Sequence, residues 1–167
     1  MMHKRTFALE NELSFNIPID KYTKLLKLHN NGIPLLFPMR FLYIEQNWFN
    51  EESLPNGVTK RSRVRMWYDK KNPAEKFYEY TTKYYTDKFR VELNSEIDEP
   101  EYLFISSVEQ KKFILDKKDR CFVQDTETGI VYMVDIHQTY VTIEIEFDSQ
   151  EDMKKFKIPQ WIKDNRL

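Results

Sequence analysis

Apolar and polar residues alternate along much of the chain. Within residues 6–15, Leu13 and Phe15 take one side of an extended segment, and Glu10 and Glu12 take the other. A period of two residues is that of a β strand with one apolar face. We therefore predict a first strand over residues 6–15.

Further strands are predicted where aromatic and β-branched residues cluster between turn-forming residues. Turn material lies at residues 55–57, 71–73 and 127–129. The predicted strands cover residues 40–48, 58–68, 75–85, 89–96, 112–115, 120–125, 130–137 and 140–147. Strands dominate this pattern, so we expect a mainly β (α+β) fold.

Two short helices are predicted beside the strands. Asp20 can cap the first, which carries Tyr22, Leu25, Leu26 and His29 at helical spacing and is expected to end at Asn31-Gly32. Ser149 can cap the second, which is expected to end before Pro159. The acidic run at residues 98–101 is interpreted as a solvated turn.

Composition limits the classes of protein that fit. The 167 residues suit one domain over residues 1–167, with 41% apolar and 32% charged residues. Cationic and anionic residues nearly balance, at 26 against 27, so no general attraction to nucleic acid is expected. We find no signal peptide and no membrane span, so we expect a cytoplasmic protein without a membrane partner.

Cysteine and glycine are scarce. Cys121 is the single cysteine, which excludes an internal disulfide or a zinc site built from paired cysteines, and we expect it to pack in the core. The three glycines do not form a glycine-rich phosphate loop. Any phosphate must therefore be bound by side chains.

Charged residues are sorted by strand. Several segments carry charged residues at alternate positions, in one case a threonine and a lysine, and this spacing places each set on one strand face. These sets are Glu10 and Glu12; Arg61, Arg63 and Arg65; Thr81 and Lys83; Arg90 and Glu92; Lys118 and Arg120; and Glu144 and Glu146.

Two interpretations of these faces are open. A single charged pair is most simply a solvated strand face. A closed barrel would instead gather the carboxylates and cations around one cavity. A metal ion on a polyphosphate would satisfy both sets, because hard cations take carboxylate oxygens while arginine and lysine take phosphate oxygens.

In their order, these motifs resemble the CYTH domain family of triphosphate tunnel metalloenzymes, over nearly the whole chain. The family's paired glutamates, its Arg-x-Arg, Thr-x-Lys, Arg-x-Glu and Lys-x-Arg strands, its late aspartate strand and its closing Glu-x-Glu strand are similar to segments of this chain. The segments are Glu10 to Ser14, Arg63 to Arg65, Thr81 to Lys83, Arg90 to Glu92, Lys118 to Arg120, Tyr132 to Asp135 and Ile143 to Phe147, and the tail Phe156 to Trp161 is also similar.

The resemblance implies a closed eight-stranded antiparallel β-barrel, or triphosphate tunnel, with a few short flanking helices. It implies Mg²⁺ or Mn²⁺ as cofactor, with candidate metal ligands Glu10, Glu12, Asp135, Glu144 and Glu146. The implied phosphate-binding residues are Arg61, Arg63, Arg65, Lys83, Arg90, Lys118 and Arg120. Catalytic roles are implied for Glu10, Glu12, Arg63 and Lys83.

The chain departs from the family pattern at two positions. Ser14 stands where the family has a lysine that contacts phosphate, and Asn94 replaces a second glutamate. Either another cation, with Arg61 the nearest by face, replaces the missing lysine, or the protein binds a triphosphate without efficient turnover. Both possibilities stay open.

The implied function is metal-dependent hydrolysis of a small triphosphate: inorganic triphosphate, thiamine triphosphate or a nucleoside triphosphate. The alternatives are a non-hydrolytic triphosphate-binding or sequestering module and a class IV adenylyl cyclase. The expected partner is a small triphosphate-containing ligand, an RNA 5′-triphosphate end being the one nucleic-acid possibility. A monomer or a homodimer is expected.

His137, Trp48 and Trp67 have a possible chemical role beside a simpler structural one. His137 shares a strand face with Asp135, yet a polar wall position is the simpler interpretation. Trp48 and Trp67 could stack on a base or thiamine ring, although buried aromatic residues usually serve packing. We expect Trp161 to pack the final segment onto the strands.

Overall fold

The computed structural model describes residues 5–108 and 114–167. Its strands are β1 (Arg5–Leu9), β2 (Glu12–Pro18), β3 (His29–Asn30), β4 (Ile33–Pro34), β5 (Leu36–Trp48), β6 (Glu52–Leu54), β7 (Val58–Asp69), β8 (Phe77–Tyr85), β9 (Arg90–Ile97), β10 (Ile114–Asp125), β11 (Val131–Ile136) and β12 (Tyr140–Glu146). The helices are α1 (Ile19–Leu26), α2 (Glu99–Val108), α3 (Gln150–Lys155) and α4 (Gln160–Asn165). The mainly β prediction is confirmed.

The chain divides into two compact units. Unit 1 contains residues up to Glu10 and residues 43–117, and unit 2 contains residues 11–42 and 118–167. The long strands β5 and β10 contribute residues to both units. The single domain over residues 1–167 stays a prediction.

Unit 1 is a sheet with one apolar and one charged face. Its strand order is β1-β9-β8-β7-β5-β10, with β6 beside β7, and the β1–β9, β8–β9 and β7–β8 ladders are antiparallel. Phe49, Val64, Met66 and Tyr102 form a buried cluster on the apolar face. Because side chains alternate along β7, the arginines between its apolar residues lie on the other face.

Unit 2 has the order β5-β10-β11-β12-β2, with antiparallel β10–β11, β11–β12 and β12–β2 ladders. Its apolar core contains Ile17, Val134 and Ile143 from the strands. Tyr22 of α1 and Trp161 of α4 belong to the same core. The expectation that Cys121 is a core residue and that Trp161 packs the final segment is confirmed.

The predicted closed eight-stranded barrel is wrong for the described residues, which form twelve strands. The strand order is an open path in each unit, with β1 at the edge in unit 1 and β2 at the edge in unit 2. The physical reason lies at Glu10 and Asn11, where the strand predicted over residues 6–15 breaks. The segment before the break pairs with β9, and the segment after it pairs with β12.

The predicted bounds of the first helix were wrong at both ends. Helix α1 begins at Ile19 after Pro18, and Asp20 lies in its first turn without acting as the cap. The helix ends at Leu26, well before His29. Asn31 and Gly32, with φ of 53° and 78°, form the two-residue turn between β3 and β4 instead. An Asn-Gly pair with both φ positive is the preferred hairpin turn.

Helix α2 replaces the solvated turn predicted at residues 98–101. The Glu101 amide donates to Asp98 Oδ1 at 2.9 Å, and the Asp98 amide donates to Glu101 Oε1 at 3.4 Å. This reciprocal pair is a capping box, and Pro100 in the first turn suits a helix start. The capping signal was therefore present in the sequence and was misinterpreted as a charged loop.

The C-terminal segments largely follow the prediction. The Ser149 hydroxyl accepts a hydrogen bond from the Asp152 amide at 3.1 Å, so it caps α3 as expected. The described parts of the segments predicted at 112–115 and 120–125 belong to one strand, β10, whereas residues 112 and 113 lie outside the described residues. None of the described helices has both the length and the apolar character needed to cross a membrane.

Candidate phosphate-binding face and acidic strands

The three arginines of β7 and the polar residues of β8 and β9 share one face of unit 1. In register, Arg61 lies opposite Lys83, Arg63 opposite Thr81 and Arg65 opposite Glu79. On the next strand, Glu92 lies opposite Lys83, Asn94 opposite Thr81 and Arg90 opposite Tyr85. We call this the cationic face, and its cations are Arg61, Arg63, Arg65, Lys83 and Arg90.

The central cations of this face are shielded from solvent. The side chains of Arg63, Arg65 and Lys83 are only 7%, 10% and 14% exposed. Lysine and arginine are rarely so buried without compensating charge, because removing an ion from water costs several kcal/mol. A solvated strand face is therefore excluded for these three residues.

Carboxylates of the same unit lie among the cations. Lys83 Nζ donates to Glu10 Oε1 at 2.9 Å and lies 3.7 Å from Glu92. Arg63 lies 3.6 Å from Glu79 and 4.0 Å from Glu92, and Arg65 lies 3.5 Å from Glu79. Glu79 and Glu92 thus each lie near two cations, at N–O distances longer than those of a tight charged hydrogen bond.

Two uncharged side chains position the arginines. The guanidinium carbons of Arg61 and Arg63 lie 4.1 and 4.9 Å from the ring centre of Trp48, within the range of cation–π attraction. Gln46, which is buried, accepts a hydrogen bond from Arg65 Nε at 2.8 Å and donates to Asp116 at 2.7 Å. Trp48 thus contacts Arg61 and Arg63, and Gln46 holds the side chain of Arg65.

A polar network links β8 and β9 beside these cations. Thr81 donates to Asn94 Oδ1 at 2.5 Å, and Asn94 donates to Glu92 Oε1 at 2.8 Å. Burial by itself would raise the pKa of Glu92, but the Asn94 hydrogen bond and the charges of Lys83 and Arg63 lower it overall. Glu92 is therefore ionised at neutral pH. Asn94 donates a hydrogen bond that helps to keep Glu92 ionised.

In unit 2, Asp135 forms a tight ion pair with two cations of β10. Arg120 donates to both of its oxygens, at 2.6 and 3.0 Å, and Lys118 Nζ lies 2.8 Å from Oδ2. Burial by itself would raise the pKa of Asp135, yet the hydrogen bonds and charge of Arg120, with Lys118, hold that pKa at about 2. This contact gives Asp135 a structural role that the sequence did not reveal.

The other predicted metal ligands of unit 2, Glu12, Glu144 and Glu146, lie on the same face of β2 and β12. Glu146 is directly opposite Glu12 in register, and Glu144 is opposite Ser14. Carboxylate oxygens in such a row have the donor chemistry that Mg²⁺ and Mn²⁺ require. However, no three His, Cys, Asp or Glu side chains in residues 5–108 and 114–167 are gathered closely enough to hold a metal ion. The strand register that places Glu146 opposite Glu12 suits a cation site, but these side chains are not close enough together to coordinate one ion.

The structure also places three other residues that the sequence analysis singled out, His137, Ser14 and Arg90. His137 Nε2 lies 3.0 Å from the Thr142 hydroxyl, which donates to Asn16, so it belongs to the polar strand face of unit 2. Ser14 is exposed on β2. Arg90, also exposed, lies 5.7 Å from the ring of Tyr85.

Of the predicted site residues, the structure brings Glu10, Arg63, Arg65 and Lys83 into one network in unit 1. It brings Lys118, Arg120 and Asp135 together in unit 2. Sequence reasoning missed Glu79 and Gln46. Glu79 could have been found, because it lies two residues before Thr81 on the same strand face, whereas nothing in the sequence distinguishes Gln46 from a surface glutamine.

Comparisons with known proteins give little further information. No protein-family model matches the chain, and no curated protein matches it. Among solved structures, the chain is similar to an inorganic triphosphatase, NE1496, with 13% identity and a TM-score of 0.39, over 90% of this chain and 83% of that one. A likeness of this strength carries no argument about function.

Proposed function

We propose that this protein binds a small triphosphate through the cationic face of unit 1 and hydrolyses it with the help of Mg²⁺ or Mn²⁺. One observation carries the proposal: Arg63 and Arg65 of β7 and Lys83 of β8 are at least 86% buried and share one face of the sheet. Buried cations in a row match the repeated negative charges of a phosphate chain.

The arginine–Glu79 pairs of this face differ from the closed ion pair of Asp135 in unit 2. Arg120 grips Asp135 with two hydrogen bonds of 2.6 and 3.0 Å, which is the bidentate geometry of a closed pair. Arg63 and Arg65 instead share Glu79 at 3.6 and 3.5 Å. Phosphate oxygens match the arginine fork as well as carboxylates do, so a triphosphate can exchange with these glutamates.

The chemistry follows from the same residues. Phosphoryl transfer needs little covalent help from the protein, because positioning and neutralising the developing charge supply most of the catalysis. Arg63 and Lys83 are suited to hold phosphate oxygens, with Arg61 opposite Lys83 and Arg90 farther along the same face. Trp48 and Gln46 hold Arg63 and Arg65 in place.

Within unit 2 we propose Glu12, Glu144 and Glu146, which share one strand face, as ligands of a divalent ion that would have to draw their side chains together, whereas the implied ligands Glu10 and Asp135 are held in ion pairs. In phosphoryl transfer a divalent ion supplies positive charge that neutralises phosphate oxygens. Calorimetric titration of Mn²⁺ into the protein without substrate tests this ligand assignment. Glu146→Ala should weaken the affinity for Mn²⁺. Glu151→Ala is the matched control, since Glu151 is an exposed carboxylate of α3 in the same unit.

Phosphate release tests the whole proposal. Inorganic triphosphate, thiamine triphosphate, ATP and 5′-triphosphate RNA are each incubated with the protein and Mg²⁺ or Mn²⁺. We expect release from at least one of them, its loss in Glu146→Ala, and no change in Glu151→Ala. Unchanged release in Glu146→Ala would reject the assignment of that residue. Cyclic AMP formed from ATP would indicate a class IV adenylyl cyclase.

A second candidate function is triphosphate binding without turnover. It is favoured by the cations that already hold two of the predicted metal ligands: Lys83 holds Glu10, and Arg120 with Lys118 holds Asp135. Tight binding of a triphosphate with no phosphate release over long incubation would support this function. Rapid hydrolysis would exclude it.

A further inference from the structure

A stacked pair of aromatic rings lies at one end of the cationic face. Trp67 of β7 is directly opposite Phe77 of β8 in register. Their ring centres are 4.3 Å apart with 19° between the ring planes. Trp67 is the next same-face position after Arg65, and Phe77 is the next after Glu79.

Among the described residues, the buried apolar cluster of unit 1 does not include this pair. The buried apolar cluster of unit 1 contains Val64 and Met66, which alternate with the arginines and therefore lie on the opposite face. Trp67 and Phe77 are not members of that cluster, and Phe77 is 39% exposed. An aromatic pair at the end of a row of buried cations has the composition of a site for a ring that carries phosphates.

We infer that Trp67 and Phe77 bind the planar ring of an organic triphosphate whose phosphates lie on Arg65, Arg63 and Lys83. This inference rests on the proposed function and narrows its substrate class to a triphosphate joined to an aromatic heterocycle. Two residues of a strand span roughly 7 Å, so the aromatic pair lies roughly 7 Å along the strand from Arg65. The group that joins the ring to the phosphates of the ligand would span this distance. Stacking tolerates any planar ring, so a purine and a thiamine ring share the required chemistry.

The test compares ligands with and without a ring. Calorimetry measures the affinity of ATP, thiamine triphosphate and inorganic triphosphate for the wild type and for Phe77→Ala. We expect Phe77→Ala to weaken one or both organic ligands about tenfold, as loss of one stacking partner does, and to leave inorganic triphosphate within twofold. Which organic ligand responds identifies the ring.

Two further variants separate stacking from folding. Phe77→Tyr keeps the ring and should keep the affinity of the responding ligand, while Phe104→Ala removes an exposed phenylalanine of α2 and should change nothing. Equal affinities of wild type and Phe77→Ala for every organic ligand would overturn the inference while inorganic triphosphate still binds. If the wild type bound none of the three ligands, the result would contradict the proposed function itself.

Discussion

Replacing Asp135 by asparagine tests the charge balance of unit 2 directly. The substitution keeps the size of the side chain but removes the negative charge that Arg120 and Lys118 share. Both cations would remain, each with only 11% of its side chain exposed. Asp135→Asn should therefore lower the free energy of unfolding, because two shielded positive charges would lose their common partner.

The magnitude follows from the pKa of Asp135. A drop from the ordinary value of 3.8 to about 2 corresponds to roughly 2 kcal/mol of stability. Breaking a buried pair by removing one partner costs up to about 5 kcal/mol, so the expected loss at pH 7 lies between these values. Because the pKa is lowered in the folded state, this stabilisation is fully present above about pH 4 and is lost as the pH falls toward 2.

Urea unfolding at pH 7, 5, 4 and 3 in the presence of a chelator measures the difference between wild type and Asp135→Asn. The pKa-linked part of this difference should fall to about half by pH 3. Asp148→Asn, which removes an exposed aspartate of the same unit, should have little effect at any pH. A difference that stays constant from pH 7 to pH 3 would refute this account of the ion pair.

Two further substitutions test contacts of the core and of the cationic face. Trp161→Phe removes the 3.0 Å hydrogen bond from the indole to the buried Asp125 and should lower the free energy of unfolding by about 1 to 3 kcal/mol in urea; an unchanged midpoint would contradict the assigned contact. Gln46→Leu removes the acceptor of Arg65 Nε and should weaken triphosphate affinity about threefold to tenfold in calorimetry. Unaltered affinity would show that Gln46 does not position Arg65.

Strand content was predictable because alternation is a local property. The segment predicted at 58–68 is nearly the whole of β7, and that predicted at 140–147 contains all of β12. Whether the strands close into a barrel was not predictable in this way, because closure depends on which partners the two sides of the Glu10–Asn11 break select. Periodicity says which face a side chain takes and nothing about the neighbouring strand.

In the candidate site, too, the strand face of a residue was predictable and its contacts with other strands were not. The positions of Arg63, Arg65 and Lys83 on one face follow from alternation and needed only the β7–β8 register to become neighbours. The capture of Asp135 by Arg120 could not be anticipated, since it depends on a β10–β11 register that the sequence does not encode locally. The same holds for Gln46, whose role exists only through Arg65 and Asp116.

The central claim is that the cationic face of unit 1 binds a phosphate chain. Calorimetric titration of inorganic triphosphate into the wild type and Arg63→Met tests it most directly. Arg63 suits the test because Glu79 and Glu92 keep Arg65 and Lys83 as partners when it is removed. Lys155→Met removes an exposed cation of α3 and serves as the control.

We predict that the wild type binds inorganic triphosphate and that Arg63→Met weakens the affinity by about tenfold or more, as loss of a charged hydrogen bond to phosphate does. The Lys155→Met affinity should equal that of the wild type. Equal affinities of wild type and a folded Arg63→Met, or no binding by the wild type, would contradict the claim.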